Sequence, residues 1–260
     1  MKKKKWIINI AMLVCVLVFA GCGIYLLKYY MDTKQTKNEL AELTELKNES
    51  AEEADDGENV QTATGKSVMK KYKKLYKKNS DLIGWITVKG TEIDYPVMQT
   101  PKDSEFYLHK NYKKEEDVNG LPFLDAKCDT EDKESNLMVY GHHMKSGMMF
   151  AHLVDYDSQD FYKKHKTVIF DTLYEEREYE VVAAFYSQVY KEDEKVFKYY
   201  NYPGHISKKQ FNTYVKNIKK LSRYDTGITP EYGEQLLTMV TCAYQTEDGR
   251  FVVVARRKRR

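Results

Sequence analysis

A chain of 260 residues has room for one large domain or two small ones, and the first roughly sixty residues lack a globular pattern, which favours a single domain. Its 42 Lys and Arg against 39 Asp and Glu leave a net charge of only +3 with the signs interspersed, so nothing electrostatic argues for a nucleic-acid partner. Twenty-two tyrosines suit a β-rich domain with amphipathic surface strands.

The N-terminus carries the plainest physical signal. Lysines at residues 2–5 precede an almost uninterrupted apolar run over residues 6–27, and a helix needs about 20 apolar residues to cross a bilayer. Lysines before the run place residues 1–5 in the cytoplasm, and Lys28, Tyr29 and Tyr30 stand where interfacial anchors belong. A cleaved secretory signal competes with this reading, as does a lipid-attachment signal at Phe19-Ala20-Gly21-Cys22. The length of the run and its continuation past Cys22 favour an uncleaved single-pass anchor in the cell membrane, with the rest of the chain extracytoplasmic.

Residues 31–65 are polar and acidic, with Glu39, Glu42, Glu45, Glu49, Glu52, Glu53, Asp55 and Asp56 in quick succession. Leu40, Leu43 and Leu46 recur at three-residue spacing, so a short helix continues from the membrane, and the remainder of residues 28–66 reads as a stalk without catalytic content. The folded domain is expected over residues 67–260. Val68, Tyr72, Leu75 and Tyr76 share a helical face, with Lys70, Lys71, Lys73, Lys74, Lys77 and Lys78 on a solvated one. Strands follow at residues 85–88, 93–98 and 121–124, punctuated by Gly90, Pro96, Pro101 and Gly120.

Residues 136–144, NLMVYGHHM, read as a short strand running into a glycine and two histidines. Short helices are expected at residues 148–154 and 161–164, and strands at 167–171 and 179–189. A longer helix is well signalled over residues 207–221: Ser207 and Gln210 have capping-box spacing, Ile206 and Phe211 can staple, and Phe211, Val215, Ile218 and Leu221 form an apolar face.

Two apolar, β-branched runs at residues 236–241 and 251–255 flank a polar segment containing Thr246, Asp248 and Gly249, the pattern of two strands and a loop. Cys242 closes the first strand and Arg250 opens the second, so antiparallel pairing brings a thiol and a guanidinium to one end of the sheet. A fixed positive charge beside a thiol favours the nucleophilic thiolate and can hold a developing oxyanion. The base this chemistry needs is supplied by His142 or His143. Cys15 and Cys22 lie in the apolar run; a Cys128–Cys242 disulfide is the alternative to a free thiol.

These residues together resemble the sortases of Gram-positive cell walls, whose signature is a strand ending in a TLxTC-like motif, an arginine opening the next strand, and an earlier histidine directly after a glycine. The motif here is Thr238-Met239-Val240-Thr241-Cys242, with Met replacing the usual Leu at similar volume. The arginine is Arg250, and the histidine after Gly141 is His142. The resemblance spans residues 67–256, and the helix before the Cys242 strand together with the N-terminal helical extension points to class B.

The resemblance implies a mainly β fold, the eight-stranded sortase β-barrel, and a cysteine transpeptidase working without cofactor or metal. Cys242 would cleave a C-terminal sorting signal, of the NPxTx type in class B, on a secreted protein and form a thioacyl enzyme. An amine of a peptidoglycan precursor or wall peptide would resolve it. His142 would protonate the leaving amine and deprotonate the incoming one, and Arg250 would bind substrate backbone and the oxyanion. Tyr140, Thr241 and the amide of Ala243 are the expected substrate-binding groups, with His143 a flanking residue. His109, His152, His165 and His205 read as surface or structural, Glu192, Asp193 and Glu194 as a solvated acidic cluster, and the basic residues 256–260 as a solvated tail. A hydrolytic cysteine peptidase and a non-catalytic, membrane-tethered wall-binding domain are the alternatives.

Overall fold

The alternating and β-branched runs become strands in the computed structural model, which describes residues 2–54 and 57–259, less the side chains of residues 2–5 and 8. The lysine charges used for orientation, two acidic stalk residues (Asp55 and Asp56) and the tail's Arg260 thus lie outside the described set. Helices α1 (Lys2–Glu52) and α2 (Lys70–Lys78) precede strands β1 (Leu82–Thr87), β2 (Asp94–Met98), β3 (Phe123–Leu124) and β4 (Ser135–Tyr140). Helix α3 (Gln159–Lys164), strands β5 (Thr167–Thr172), β6 (Glu178–Gln188) and β7 (Gly204–His205), helix α4 (Lys208–Leu221), and strands β8 (Leu236–Cys242) and β9 (Gly249–Arg257) follow. Single 3-10 turns lie at Phe106–His109, Ala151–Asp157 and Tyr199–Asn201.

The chain divides into two units, Met1–Ala41 and Glu42–Arg260. The first is the greater part of α1. It contains the one segment, among the described residues, that is long and apolar enough to cross a membrane, with Trp6, Leu13, Phe19 and Leu27 all exposed. The short helix expected after the apolar run is a continuation of α1 itself, unbroken to Glu52 through a stretch rich in the helix formers Glu, Leu, Ala and Lys.

The last turns of α1, from Glu42, belong to the second unit and pack on its sheet. Lys47 Nζ lies 4.1 Å from the ring centre of Trp85 in β1 and 3.3 Å from Asp94 Oδ1 in β2. Asp94 Oδ1 also accepts from Trp85 Nε1 at 2.6 Å and from Thr87 Oγ1 at 2.7 Å. Part of the segment read as stalk is therefore a component of the domain. Helix α2 buries Tyr72 and Leu75, as its periodicity predicts. Its lysine face is less free than expected: Lys71 pairs with Asp171 at 2.8 Å and Glu176 at 2.6 Å, and Lys74 with Glu53 at 2.6 Å.

Eight strands close a barrel in the order β3-β2-β1-β5-β6-β9-β8-β4, with β4 returning to β3 and the two-residue β7 added along β4. Neighbours are antiparallel except β2–β3 and β4–β8, which are parallel. Closure leaves none of these eight strands with a full unpaired edge. The basic tail is part of this sheet, because β9 continues to Arg257 and aligns its cations with the acidic start of β6. Arg256 meets Glu180 at 3.2 Å, Arg257 meets Glu175 at 2.8 Å, and Lys258 meets Glu178 at 3.0 Å, so the solvated-tail reading gives way to an ion-paired one.

Helix α4 forms as its capping box predicts: the Ser207 side chain accepts from the Gln210 backbone, and Gln210 Oε1 accepts from Ser207 N at 2.9 Å. It packs against β6 and, through Tyr214, against β8. The Tyr214 hydroxyl lies 2.7 Å from Thr238 Oγ1, which donates to Asn136 Oδ1 at 2.7 Å, and all three side chains are fully buried. Thr238→Val is expected to lower stability by about 1–3 kcal/mol by stranding Tyr214 and Asn136 without their shared partner. A denaturation midpoint equal to that of the parent would show that the triad contributes nothing.

Candidate active site

Strand register assembles the site. In the β8–β9 pair Cys242 stands opposite Arg250 and Val240 opposite Val252. Paired residues of neighbouring strands share a face, so the thiol and the guanidinium project together. Strand β4 runs parallel beside β8 with Tyr140 level with Val240, and the Gly141 N–H extends the ladder to the Val240 carbonyl at 3.0 Å. The next residue, His142, therefore arrives abreast of Cys242.

At Gly141 a Cβ would stand 2.7 Å from the ring of Phe150, so only glycine lets that ring close over the strand end. Phe150 N donates to the His142 carbonyl at 2.8 Å and pins the turn. The two imidazoles diverge from it. His142 Nε2 lies 2.9 Å from the Leu108 carbonyl oxygen, which only accepts, so Nε2 carries the proton and Nδ1 is the nitrogen available for chemistry. Burial pushes the His142 pKa below the ordinary imidazole value, the Leu108 hydrogen bond works against this, and the neighbouring His109 adds to it.

His143 has a definite task of its own. Its Nδ1 donates to the carbonyl of Cys242 at 3.0 Å, and the Tyr244 hydroxyl returns a hydrogen bond to the His143 carbonyl at 3.0 Å, with the two rings 5.2 Å apart. This residue, expected merely to flank the site, ties the end of β8 to the histidine turn. Among the described residues the hydrogen bonds of both imidazoles go to carbonyls, and none joins them to the Cys242 thiol.

Cys242 is free and half-buried, and Cys128 is free and buried, so the disulfide alternative is absent. Burial pushes the Cys128 thiol up to about 12, and it hydrogen-bonds the Asn136 carbonyl at 3.3 Å. Of the two extracytoplasmic cysteines expected, Cys242 is the one placed for chemistry.

The Leu108 carbonyl is itself held in place. Tyr107, buried in the Phe106–His109 turn, donates to Asp81 Oδ2 at 2.8 Å and accepts from Asn79 Nδ2 at 2.8 Å, while its carbonyl accepts from Leu121 N at 2.9 Å. Tyr199, in the 3-10 turn between β6 and β7, was not singled out in the sequence. It is buried, burial drives its ionisation upward, and the Arg250 charge works against this. Its one signal in the sequence is the aromatic run at residues 197–202.

The expected substrate-binding residues separate. Tyr140 lies on the Cys242 face, half-buried, stacked on Phe123 at 5.5 Å with its hydroxyl 2.9 Å from Met138 Sδ. Thr241 alternates to the opposite face of β8, where its side chain is buried, so only its backbone borders the site. The Ala243 amide donates to the Gly249 carbonyl at 3.0 Å, and this hairpin bond corrects its expected role as an oxyanion donor.

A sortase-domain family model matches residues 86–258. The sortase B of Listeria monocytogenes is 33% identical over 181 residues, which cover 69% of this chain and 70% of that protein. The sortase B of Staphylococcus aureus is 27% identical over 258 residues, 98% of this chain and 97% of that one. A solved structure described as a Staphylococcus aureus sortase B–substrate complex is similar with a TM-score of 0.73 at 26% identity, across 88% of this chain and 99% of that chain.

Proposed function

The chain belongs to the sortase family and is a cysteine transpeptidase, and from that premise we propose that it cleaves an NPxTx-type sorting signal at the C-terminus of secreted proteins and joins them to an amine of the cell wall. In this reading the Cys242 thiol passes its proton to His142 Nδ1 as Sγ attacks the scissile carbonyl, and when the C–N bond breaks His142 gives that proton to the leaving amine and is neutral again. The acceptor amine then attacks the thioester, loses a proton to His142, and releases the Cys242 thiolate. Arg250 holds the carbonyl oxygen while it carries negative charge.

The pairing of Cys242 with Arg250 across the β8–β9 ladder carries the reading, because it puts a fixed cation on the same face as the nucleophile. His142 supports it: a neutral imidazole with its Nε2–H committed to Leu108 offers Nδ1 for proton exchange. The sortase B relatives and the substrate complex of the Staphylococcus aureus protein support the peptide class. The apolar length of α1 supports a single-pass anchor with residues 1–5 cytoplasmic and the barrel outside.

Full-length protein in detergent micelles, mixed with NPxTx and LPxTG peptides with and without an amine, tests this by intact mass. The expected result is an acyl adduct on Cys242 from the NPxTx peptide that passes to the amine. Release of free acid alone, whatever the amine concentration, would mark a hydrolytic peptidase instead.

A further inference from the structure

The sequence reads His109 as surface or structural, and its ring centre lies 5.6 Å from that of His142, with the planes 30° apart. The two imidazoles are joined through one short turn. His109 ends the 3-10 turn Phe106–His109, and the carbonyl of the preceding residue, Leu108, is the acceptor for His142 Nε2. The bond that fixes the His142 tautomer thus also fixes the second ring beside it. His142 is part-buried, whereas His109 is exposed to solvent.

The remaining groups around His142 do not duplicate this neighbour. His143, on the same turn, is tied to the Cys242 carbonyl; Lys110, next along the chain from His109, is ion-paired with Glu116; the β8–β9 end contributes Cys242 and Arg250. Of these neighbours, His109 is the one whose charge opposes protonation of His142. Burial already disfavours the His142 imidazolium, and positive charge on the neighbouring ring adds to that.

We propose that His109 is a positioning residue for the transfer step, holding a like-charge neighbour against His142 so that His142 stays the neutral base that takes the acceptor amine's proton. This rests on the reading of His142 as the acid and base of the reaction. Two cations at this separation repel through a partly desolvated gap. The device adds to burial in keeping His142 ready to accept the amine's proton in mildly acidic surroundings.

The test reads His142 directly, without turnover. Imidazole NMR titration of the full chain in micelles, assigned with a His142→Gln variant, gives the His142 midpoint in the parent, His109→Asn and His109→Lys. The midpoint is expected to rise in His109→Asn and to return to or below the parent value in His109→Lys, with the difference shrinking in 1 M salt, where the Debye length falls to about 3 Å. The acid limb of single-turnover aminolysis is expected to follow in the same direction. An unchanged midpoint in His109→Asn overturns the proposal. Absence of any acyl-enzyme overturns the functional reading instead, and leaves the titration result standing on its own.

Discussion

Replacing Arg250 by alanine is expected to slow acylation of Cys242 by about 10²–10³-fold, the range seen when one oxyanion donor is removed, with little change in the unfolding midpoint. Arg250 is the second residue of β9, directly opposite Cys242, and among the described residues its side chain donates to the Gly249 carbonyl, within its own hairpin, at 2.9 Å. Among the described residues its removal breaks no buried ion pair, and it leaves the sheet register to the apolar residues Val252, Val253 and Val254, all fully buried. What is lost is the fixed cation on the nucleophile's face. Arg250→Lys keeps the charge but not the planar fork, so it is expected to recover only part of the rate. Single-turnover acylation followed by intact mass, with Cys242→Ala as the blank, measures both variants. A rate equal to the parent's in Arg250→Ala would remove Arg250 from the mechanism.

Such a sharp prediction is available because the β8–β9 hairpin is local. Two apolar runs, a glycine-containing loop and strand alternation are enough to place Cys242 and Arg250 together, since a one-residue slip would carry Arg250 to the other face of the sheet from Cys242. Helix α4 was legible for the same reason, with Ser207, Gln210 and the spacing of Phe211, Val215 and Ile218 all acting within one element. The groups that surround His142 were not legible. Leu108 and His109 sit more than thirty residues before it, in a 3-10 turn whose place depends on β3 returning to β4, and nothing near His109 in the sequence announces a partner. Tyr199 is hidden for a different reason: in a chain with 22 tyrosines, the aromatic run at residues 197–202 does not single out one of its members. The Ala243 amide and the Thr241 side chain could be placed only once the hairpin's hydrogen bonds and facing were known.

Gly120→Ala is expected to reduce acyl transfer by about 10²-fold although residue 120 touches neither nucleophile nor base, because misplacing a catalytic group by about 1 Å costs that much. In the sequence Gly120 reads only as punctuation before a strand. In the structure its φ is +55°, a left-handed conformation that costs an L-residue roughly 1–2 kcal/mol. An added Cβ would also stand 2.3 Å from the Leu108 carbonyl oxygen and 2.6 Å from that of Tyr107. Both obstacles are backbone, so no side-chain rotation relieves them, and the Phe106–His109 turn must shift. The atom displaced first is the Leu108 oxygen that holds His142 Nε2, while Tyr107 remains anchored to Asn79 and Asp81 below it. The loss should therefore fall on proton transfer at His142, with the barrel still folded and Cys242 still open to a thiol reagent. Paired measurement of alkylation rate and peptide transfer separates the two: alkylation near the parent rate with transfer sharply reduced is the expected pattern. Transfer at the parent rate would mean that the Leu108 carbonyl does not hold the base in place.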